Sequence, residues 1–278
     1  MNDKIIDGRE CSKLFRQKLE KEIKTFNTPP ELVDIQIGNN EASNIYINAK
    51  KKASETIGIK FHHIKFEEGI DKKEIINKIN ELNNNPKING ILIQLPIPNG
   101  YDEAELINHI SPEKDVDGLT ELNIGRLFLG KNCLTSCTPL GIIELLKYKN
   151  INLEGKNVVI VGRSNLVGKP LISLLLKENA TITICHSKTN NLSDYTTKAD
   201  ILIIAVGKKH LITKEMVKEN AIIIDVGINR ENGKIYGDVD FDNVVNKVKY
   251  ITPVPGGVGP MTITMLLNNV IKNYKNQI

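Results

Sequence analysis

The 278-residue chain is poor in aromatic residues, poor in cysteine and without long apolar runs. Aromatic residues make up 5%, and the basic residues behind the net charge of +4 are spread along the chain, which disfavours nucleic-acid binding. Four scattered cysteines cannot form a disulfide framework in a chain of this length. No apolar run approaches the ~20 residues that span a bilayer. Because the N-terminus also lacks an apolar signal-peptide core, we expect a cytoplasmic protein without membrane partners.

Residues that could bind a metal ion are also sparse. Cys133 and Cys137 are four positions apart, which is not a standard zinc spacing, and no pair of histidines lies nearby in the sequence. His62 and His63 are consecutive in a predicted strand, so their side chains point to opposite faces of a sheet. We therefore predict no metal site.

Strand and helix signals alternate along the whole chain. Parallel sheets covered on both faces are therefore predicted, in an α/β protein of two domains. Gly58 is predicted to end one helix and Asp71 to cap the next. The predicted strands are 31–37, 60–66, 90–95, 157–161, 181–185, 201–206, 221–226 and 248–252. The predicted helices are 10–25, 43–57, 71–84, 102–109, 140–149 and one from near Met261, with turns and a loop over 111–139.

The most informative segment is a strand, a glycine loop and a helix over residues 157–176. An apolar β-branched run ends at Gly162 and is followed by Arg163, Ser164, Val167 and Gly168 before an apolar helix. Such a junction presents backbone N–H groups and a helix N-terminus to an anion. The spacing departs from Gly-x-Gly-x-x-Gly, so a tight turn without a ligand is the alternative. A triphosphate-binding loop is disfavoured because the segment is one residue too long and lacks the Ser or Thr for magnesium.

The region after the next strand lacks an acidic residue. An NAD-binding fold usually has Asp or Glu about 20 residues past the glycines, where it binds the ribose 2′-hydroxyl. Here Arg163, Ser187 and Lys188 are available instead. This composition predicts a 2′-phosphate and therefore NADP.

Tyr46 and Lys50 are four residues apart in a predicted helix and therefore share one face. A lysine beside a phenol can donate or accept protons in catalysis. The alternative is an interfacial tyrosine with a solvated lysine. The spacing also occurs in short-chain dehydrogenases, but there it follows the glycine loop, so the order of the motifs disfavours that family.

Three further segments contain polar or conformationally special residues at positions where a ligand could bind. Gln94 interrupts an apolar strand near its carboxyl end, where ligands bind in open α/β folds. Burial of its amide destabilises the fold unless the amide has hydrogen-bond partners, and these partners are either a ligand or neighbouring backbone groups. Asp115 and Asp117 either bind a donor-rich heterocycle or a cation, or shape a turn. The glycines and prolines of residues 251–262 fix an unusual backbone path that favours close approach of a flat ring, with one X-Pro bond expected to be cis.

Taken together, these segments resemble the bifunctional methylenetetrahydrofolate dehydrogenase/cyclohydrolase (FolD) family. Seven motifs occur in compatible order over the whole chain. They are Tyr46-x-x-x-Lys50, Gln94-Leu95-Pro96, Lys114-Asp-Val-Asp-Gly118, Cys137-Thr-Pro139, Gly162-Arg-Ser-x-x-Val-Gly168, Asp225-Val-Gly-Ile228-Asn229 and Pro255-Gly256-Gly257-Val-Gly-Pro-Met-Thr262.

The resemblance implies both the reaction and the architecture. The family oxidises 5,10-methylenetetrahydrofolate with NADP and hydrolyses the 5,10-methenyl product to 10-formyltetrahydrofolate, within one-carbon metabolism for purine, methionine and histidine biosynthesis. A folate-binding catalytic domain is expected over 1–139 plus 262–278, including the C-terminal helix. A Rossmann-like NADP-binding domain is expected over 140–261, with the active-site cleft between the domains. The resemblance also implies a cytoplasmic homodimer.

The resemblance further implies roles for individual residues. Lys50 handles the proton in the cyclohydrolase step, Gln94 hydrogen-bonds Lys50, Tyr46 borders the folate ring and Asp117 binds the donor edge of the pterin. The remaining substrate-binding residues are expected to be Leu95, Pro96, Pro255, Gly256 and Gly257. The cofactor-binding residues are expected to be Gly162, Arg163, Ser164, Val167, Gly168, Ser187 and Ile228. A monofunctional dehydrogenase and a non-enzymatic NADP-sensing protein are the alternatives.

Overall fold

Ten strands and ten α-helices lie along residues 3–277, the part of the chain that this computed structural model describes. The strands are β1 (Glu31–Ile37), β2 (Lys60–Phe66), β3 (Gly90–Ile93), β4 (Asn157–Val161), β5 (Thr181–Cys185), β6 (Ile201–Ile204), β7 (Ile222–Asp225), β8 (Asn229–Glu231), β9 (Lys234–Tyr236) and β10 (Tyr250–Ile251). The helices are α1 (Gly8–Ile23), α2 (Glu41–Ile57), α3 (Lys72–Asn84), α4 (Glu103–Asn108), α5 (Glu121–Phe128), α6 (Cys137–Tyr148), α7 (Gly168–Lys177), α8 (Ser193–Thr196), α9 (Phe241–Val244) and α10 (Val258–Gln277). A 3-10 turn covers Lys214–Met216.

The chain divides into two units, each built around its own parallel sheet. The three-stranded unit comprises Leu14–Cys137 and the chain from Ile263 onward. The five-stranded unit comprises Thr138–Thr262 and the N-terminal segment as far as Lys13. That segment joins the five-stranded unit because Ile6 N donates to Ile251 O at 2.9 Å. The sequence-based domain boundaries at 139/140 and 261/262 stay a prediction.

In the three-stranded unit, the strand order is β2-β1-β3, and β1 pairs in parallel with both neighbours. Val33 and Ile35 face a core that also contains Ile75 of α3 and Leu106 of α4. The part of the last helix from Ile263 onward belongs to this unit through specific contacts. The rings of Phe26 and Tyr274 stack at 4.5 Å, and Asn273 Nδ2 donates to Asn89 O at 2.5 Å.

In the five-stranded unit, the strand order is β10-β7-β6-β4-β5, and all neighbours are parallel. Buried branched residues such as Val159, Leu202 and Ile223 form its core. Because the strands are parallel, the segments that follow their carboxyl ends meet at one edge of the sheet, where ligands bind in open α/β folds. A short antiparallel hairpin, β8-β9, follows β7.

The structure confirms the α/β class and most of the predicted elements. Strands 31–37, 60–66, 157–161 and 181–185 have the predicted bounds. Gly58 ends α2 in the left-handed conformation, and the Asp71 side chain accepts from Lys73 N at 2.9 Å, as predicted. The prediction of turns and loop over 111–139 is wrong in part because α5 lies there. The sequence did not predict the β8-β9 hairpin.

No helix within residues 3–277 combines the length and apolar character that crossing a bilayer requires.

Candidate active site

In the three-stranded unit, the structure brings together the lysine and the glutamine that the sequence singled out. Asn40 caps α2 by accepting from Ser43 N at 3.1 Å, and Lys50 lies two turns further along, where it is buried. Its Nζ donates to Gln94 Oε1 at 2.8 Å. Tyr46 precedes Lys50 by one turn and is half-buried. A buried amine held by an amide oxygen is a candidate proton-transfer group.

The segment after β3 is fixed by backbone and side-chain contacts. Gln94 N donates to Ile35 O at 2.8 Å, which continues the pairing with β1. The Gln94 side-chain nitrogen donates to Leu95 O, so its oxygen is left to face Lys50. Ser43 Oγ lies 3.5 Å from the same Leu95 oxygen, and the Leu95–Pro96 peptide bond is cis. The glutamine thus has specific side-chain partners in addition to backbone ones.

Asp34 is a buried acid at the centre of β1 that the sequence analysis missed. Its side chain is fully buried, and Lys50 Nζ lies 2.5 Å from its Oδ2. Burial raises the pKa of Asp34, and the positive charge of Lys50 opposes that rise. The sequence signal was present, because Asp34 interrupts an apolar strand just as Gln94 does.

The two carboxylates after β3 have different environments. Asp115 is buried and accepts from Gly118 N at 2.9 Å, Thr120 N at 2.8 Å and Asn123 Nδ2 at 2.9 Å. Asp115 therefore shapes the loop, as one of the two alternatives proposed. Asp117 keeps partial exposure.

Loss of hydration raises the pKa of Asp117 to about 6, against the attraction of Lys50 and with the help of repulsion from Asp115 and Asp34. Because Asp117 is partly exposed, its carboxylate is available to a ligand.

Among the described residues, no group of three or more His, Cys, Asp or Glu side chains is arranged to hold a metal ion.

In the five-stranded unit, the glycine loop packs too tightly for side chains at two positions. Gly162 has φ of 134°, and a Cβ there would lie 2.4 Å from Ala205 O. A Cβ on Gly168, the first residue of α7, would lie 2.3 Å from Gly162 O. The strand, loop and helix are therefore in close backbone contact, whereas Arg163 and Ser164 are exposed. Val167 N donates to Ser164 Oγ at 3.1 Å, which closes the loop.

Other predicted cofactor residues lie at the same edge of the sheet. Val161 of β4 pairs with Cys185 of β5, and Ser187 follows β5 and is exposed. Ile228 follows β7 and is 44% exposed. Val206, which follows β6 and was not predicted, is also an exposed apolar residue. The edge therefore combines exposed polar groups with two exposed apolar side chains.

Two buried acids organise the loops at this edge. Asp238 accepts from the backbone N–H groups of Val206 at 2.8 Å, Gly207 at 3.0 Å and Lys208 at 2.7 Å. Asp225 accepts from Gly227 N at 2.9 Å and Asp238 N at 3.0 Å. Burial raises the pKa of Asp225 to about 7 despite these N–H groups. Asp225 was recognised in the sequence only as part of a motif, and Asp238 was not recognised.

The proline- and glycine-rich loop after β10 has the unusual backbone path that its sequence predicts. The Val254–Pro255 peptide bond is cis, as expected for one of these prolines. Gly256 has φ of 111°, and a Cβ on Gly257 would lie 2.6 Å from Pro253 O. Glycine is therefore required at both positions, and Pro255 is exposed.

Two models of one protein family match the chain. Residues 6–117 match the family model for the tetrahydrofolate dehydrogenase/cyclohydrolase catalytic domain. Residues 136–278 match the model for the NAD(P)-binding domain of the same family. The chain belongs to the tetrahydrofolate dehydrogenase/cyclohydrolase family. The resemblance inferred from the motifs is thereby confirmed.

Relatives within the tetrahydrofolate dehydrogenase/cyclohydrolase family match over nearly the full length. The bifunctional protein FolD of Bacillus velezensis is 51% identical over 282 residues and covers 100% of both chains. The crystal structure of the bifunctional enzyme FolD from Campylobacter jejuni superimposes with a TM-score of 0.96 at 45% identity, covering 99% of each chain. The FolD of Trypanosoma brucei, complexed with NADP cofactor and inhibitor, superimposes with a TM-score of 0.93 at 33% identity, covering 98% of this chain and 97% of that one.

Proposed function

We propose that the protein is a bifunctional enzyme of one-carbon folate metabolism. It oxidises 5,10-methylenetetrahydrofolate to 5,10-methenyltetrahydrofolate with NADP and hydrolyses that product to 10-formyltetrahydrofolate. The observation that supports the cyclohydrolase activity is the buried amine of Lys50, 2.8 Å from Gln94 Oε1. Family membership over both domains supplies the substrate class.

The residues of the five-stranded unit fit NADP. The close packing at Gly162 and Gly168 lets a diphosphate approach the backbone at the start of α7. Arg163 and Ser187 are exposed and can bind a 2′-phosphate, because a guanidinium binds phosphate oxygens in a bidentate manner. Ser164 and Val167 complete the loop, and Ile228 offers an apolar contact. When bound, NADP supplies a hydride acceptor.

In the dehydrogenase step, the protein positions the substrate. The methylene carbon loses a hydride, and the lone pairs of the two adjacent nitrogens stabilise the resulting cation. This step needs neither a metal ion nor a strong base from the chain. Tyr46 borders the folate ring, and Asp117 accepts from the amino and ring N–H groups of the pterin. Leu95 with Pro96, and Pro255 with Gly256 and Gly257, provide further substrate contacts.

In the cyclohydrolase step, Lys50 moves the protons. Water adds to the methenyl carbon while the neutral Lys50 amine accepts a proton from it, which gives a hydroxyl adduct and an ammonium. The ammonium then returns a proton to N5 as the bond from carbon to N5 breaks. The hydroxyl proton leaves to solvent, and the formyl group stays on N10. Gln94 holds the amine in place during both transfers.

An absorbance assay tests both activities. Purified protein is incubated with 5,10-methylenetetrahydrofolate and NADP, while NADPH and the methenyl product are followed separately. We expect NADPH to rise without methenyl accumulation. Methenyl rising together with NADPH would indicate a monofunctional dehydrogenase. Binding of NADP without turnover would indicate the NADP-sensing alternative, and equal kcat/KM with NAD would contradict the 2′-phosphate assignment.

Lys50→Met tests the role of the lysine. We expect methenyl hydrolysis to fall by roughly 10²- to 10⁴-fold because the proton-transfer group is removed. NADP affinity should stay within about twofold, since the cofactor residues belong to the other unit. Lys51→Met is the matched control, because Lys51 is the next residue on α2 and is exposed. Full hydrolysis by Lys50→Met would refute the assignment.

The family resemblance also supports a homodimer that acts in the cytoplasm on pathways to purines, methionine and histidine. Sedimentation of the purified protein, with and without NADP, tests the dimer.

A further inference from the structure

Asp34 occupies a buried position where a carboxylate lowers the stability of the fold. It lies in the middle of β1, between Val33 and Ile35, which face the core, and its own side chain is fully buried on the opposite face. Apart from the ion pair with Lys50, neither carboxylate oxygen has a hydrogen-bond partner among the described residues. A buried charge with so few partners is destabilising unless its partner is charged. The single partner is the residue assigned to proton transfer.

The contacts of Lys50 leave one direction open for chemistry. Its Nζ lies 2.8 Å from Gln94 Oε1 and 2.5 Å from Asp34 Oδ2. A neutral amine has two N–H groups and one lone pair, and an ammonium has three N–H groups. Gln94 Oε1 accepts one N–H group, and Asp34 Oδ2 lies beside the amine as its charged partner. The remaining position is the lone pair that accepts the proton from water, or the N–H that returns a proton to N5.

The charge of Asp34 also matters at the moment when the ammonium forms. As water adds, the positive charge leaves the methenyl cation and appears on the buried Lys50 ammonium. A carboxylate within 2.5 Å of the amine compensates the new charge in a low-dielectric environment. His63, from β2, and Asp117, from the loop after β3, are the other titratable groups whose charges act on Asp34 or are acted on by it.

We infer that Asp34 is a positioning residue for the cyclohydrolase step, whose buried carboxylate orients the Lys50 amine and compensates its charge. This inference rests on the proposed function. It adds a third member to the pair of Lys50 and Gln94, and it assigns Asp34 no direct contact with substrate. The dehydrogenase step, which needs no proton transfer by Lys50, does not depend on Asp34.

Asp34→Asn tests the inference because asparagine has nearly the same shape and no charge. We expect kcat for methenyl hydrolysis to fall by about 10- to 100-fold, with KM and the dehydrogenase kcat within about twofold of wild type. The acidic limb of the pH–rate profile should also move to lower pH by about one unit, because the ammonium loses its anionic partner. A purely structural role would not move this limb. Asp34→Ser, a smaller residue, is measured in the same way in case the asparagine variant does not fold.

Gln36→Leu is the matched control. Gln36 lies two residues further along β1, is 2% exposed and contacts Asn44 and His63 rather than Lys50. This variant should keep both kcat and the pH–rate profile. An Asp34 variant with wild-type kcat and an unmoved acidic limb overturns the inference while leaving the proposed function standing. A wild-type protein that reduces NADP but does not hydrolyse methenyltetrahydrofolate overturns the cyclohydrolase activity and the inference with it.

Discussion

At the scale of single residues, three neighbouring acids in the three-stranded unit have different roles because they have different partners. Asp34 forms an ion pair with Lys50. Asp115 accepts hydrogen bonds from two backbone N–H groups and from the side-chain amide of Asn123. Asp117 has partial exposure and a pKa raised to about 6, chiefly by loss of hydration. Of the three, Asp117 alone keeps partial exposure, which supports its proposed role as the acid that binds the ligand.

Folate binding should depend on pH through Asp117. In the proposed site, the Asp117 carboxylate is ionised above pH 6 and can accept from the pterin, whereas below pH 6 it binds a proton and loses an acceptor. We therefore expect the dissociation constant of a stable folate analogue to be flat above about pH 7 and to rise about tenfold per pH unit well below 6. Calorimetric titration between pH 5 and 8 measures this. Asp117→Asn should bind weakly with no such rise, and an equal rise in that variant would contradict the assignment.

Single polar residues in apolar strands were only partly predictable from the sequence. Gln94 was recognised because it lies near the carboxyl end of its strand, where ligands bind. Asp34 carries the same signal in the middle of β1, but its partner Lys50 lies on a helix 16 residues later. Pattern alone does not show which helix face covers which strand position, so the ion pair required the three-dimensional structure.

At the scale of elements, the junction of β4, its loop and α7 depends on two glycines in contact. The Cβ of any other residue at position 168 would lie 2.3 Å from Gly162 O, so the loop would have to move. Because the first turn of α7 presents backbone N–H groups, a displaced loop changes their position relative to a bound phosphate. The geometry of the proposed anion site therefore depends directly on Gly168.

Gly168→Ala should raise KM for NADP by at least about tenfold because the loop is displaced. Hydrolysis of added methenyltetrahydrofolate should remain within about twofold, since its proposed proton-transfer residues lie in the other unit. Steady-state kinetics of the two reactions measures both values. Gly125→Ala is the control, because Gly125 lies within α5 and a Cβ there has nothing within 4 Å. An unchanged KM for NADP in Gly168→Ala would contradict the assignment of this loop to the cofactor site.

Elements with strong apolar patterns were predictable, and short polar ones were not. β4 and β5 have alternating or continuous branched apolar residues between clear turn signals, and their bounds match the prediction. The strands of the β8-β9 hairpin have three residues each and little apolar pattern. Its turn at Asn232 and Gly233, both with positive φ, is a hairpin signal that was overlooked. Helix α5 was missed because among its residues only Asn123 is buried.

At the scale of the whole molecule, the three-stranded unit is discontinuous in sequence. Its last helical segment, from Ile263, follows the whole of Thr138–Thr262. Asn269 on this segment is 1% exposed, and its Nδ2 donates to Val116 O at 2.8 Å and to Thr135 O at 2.9 Å. One side chain of the C-terminal helix thus fixes the loop that carries Asp117.

Asn269→Leu should destabilise the protein, because the buried carbonyl groups of Val116 and Thr135 lose the hydrogen bonds from the Asn269 amide. We expect a loss of about 2–3 kcal/mol and a fall in Tm of about 4–8 °C. Folate binding should also weaken, since Val116 is adjacent to Asp117. Thermal melting and folate titration measure the two effects. Asn276→Leu, at an exposed position on the same helix, should change neither. An Asn269→Leu protein with wild-type Tm would show that the loop does not depend on this contact.

The discontinuity also matters during synthesis on the ribosome. The β-sheet of the three-stranded unit is translated first, but Asn269, Asn273 and Tyr274 emerge only after the entire cofactor-binding segment has been made. Until then, the nascent folate unit lacks the partners of Val116, Asn89 and Phe26. The five-stranded unit ends at Thr262 and does not include the helix segment from Ile263, so its sheet can form before that segment is synthesised. We therefore expect folate-binding competence to appear late in translation, and a chain that ends before residue 263 should lack it.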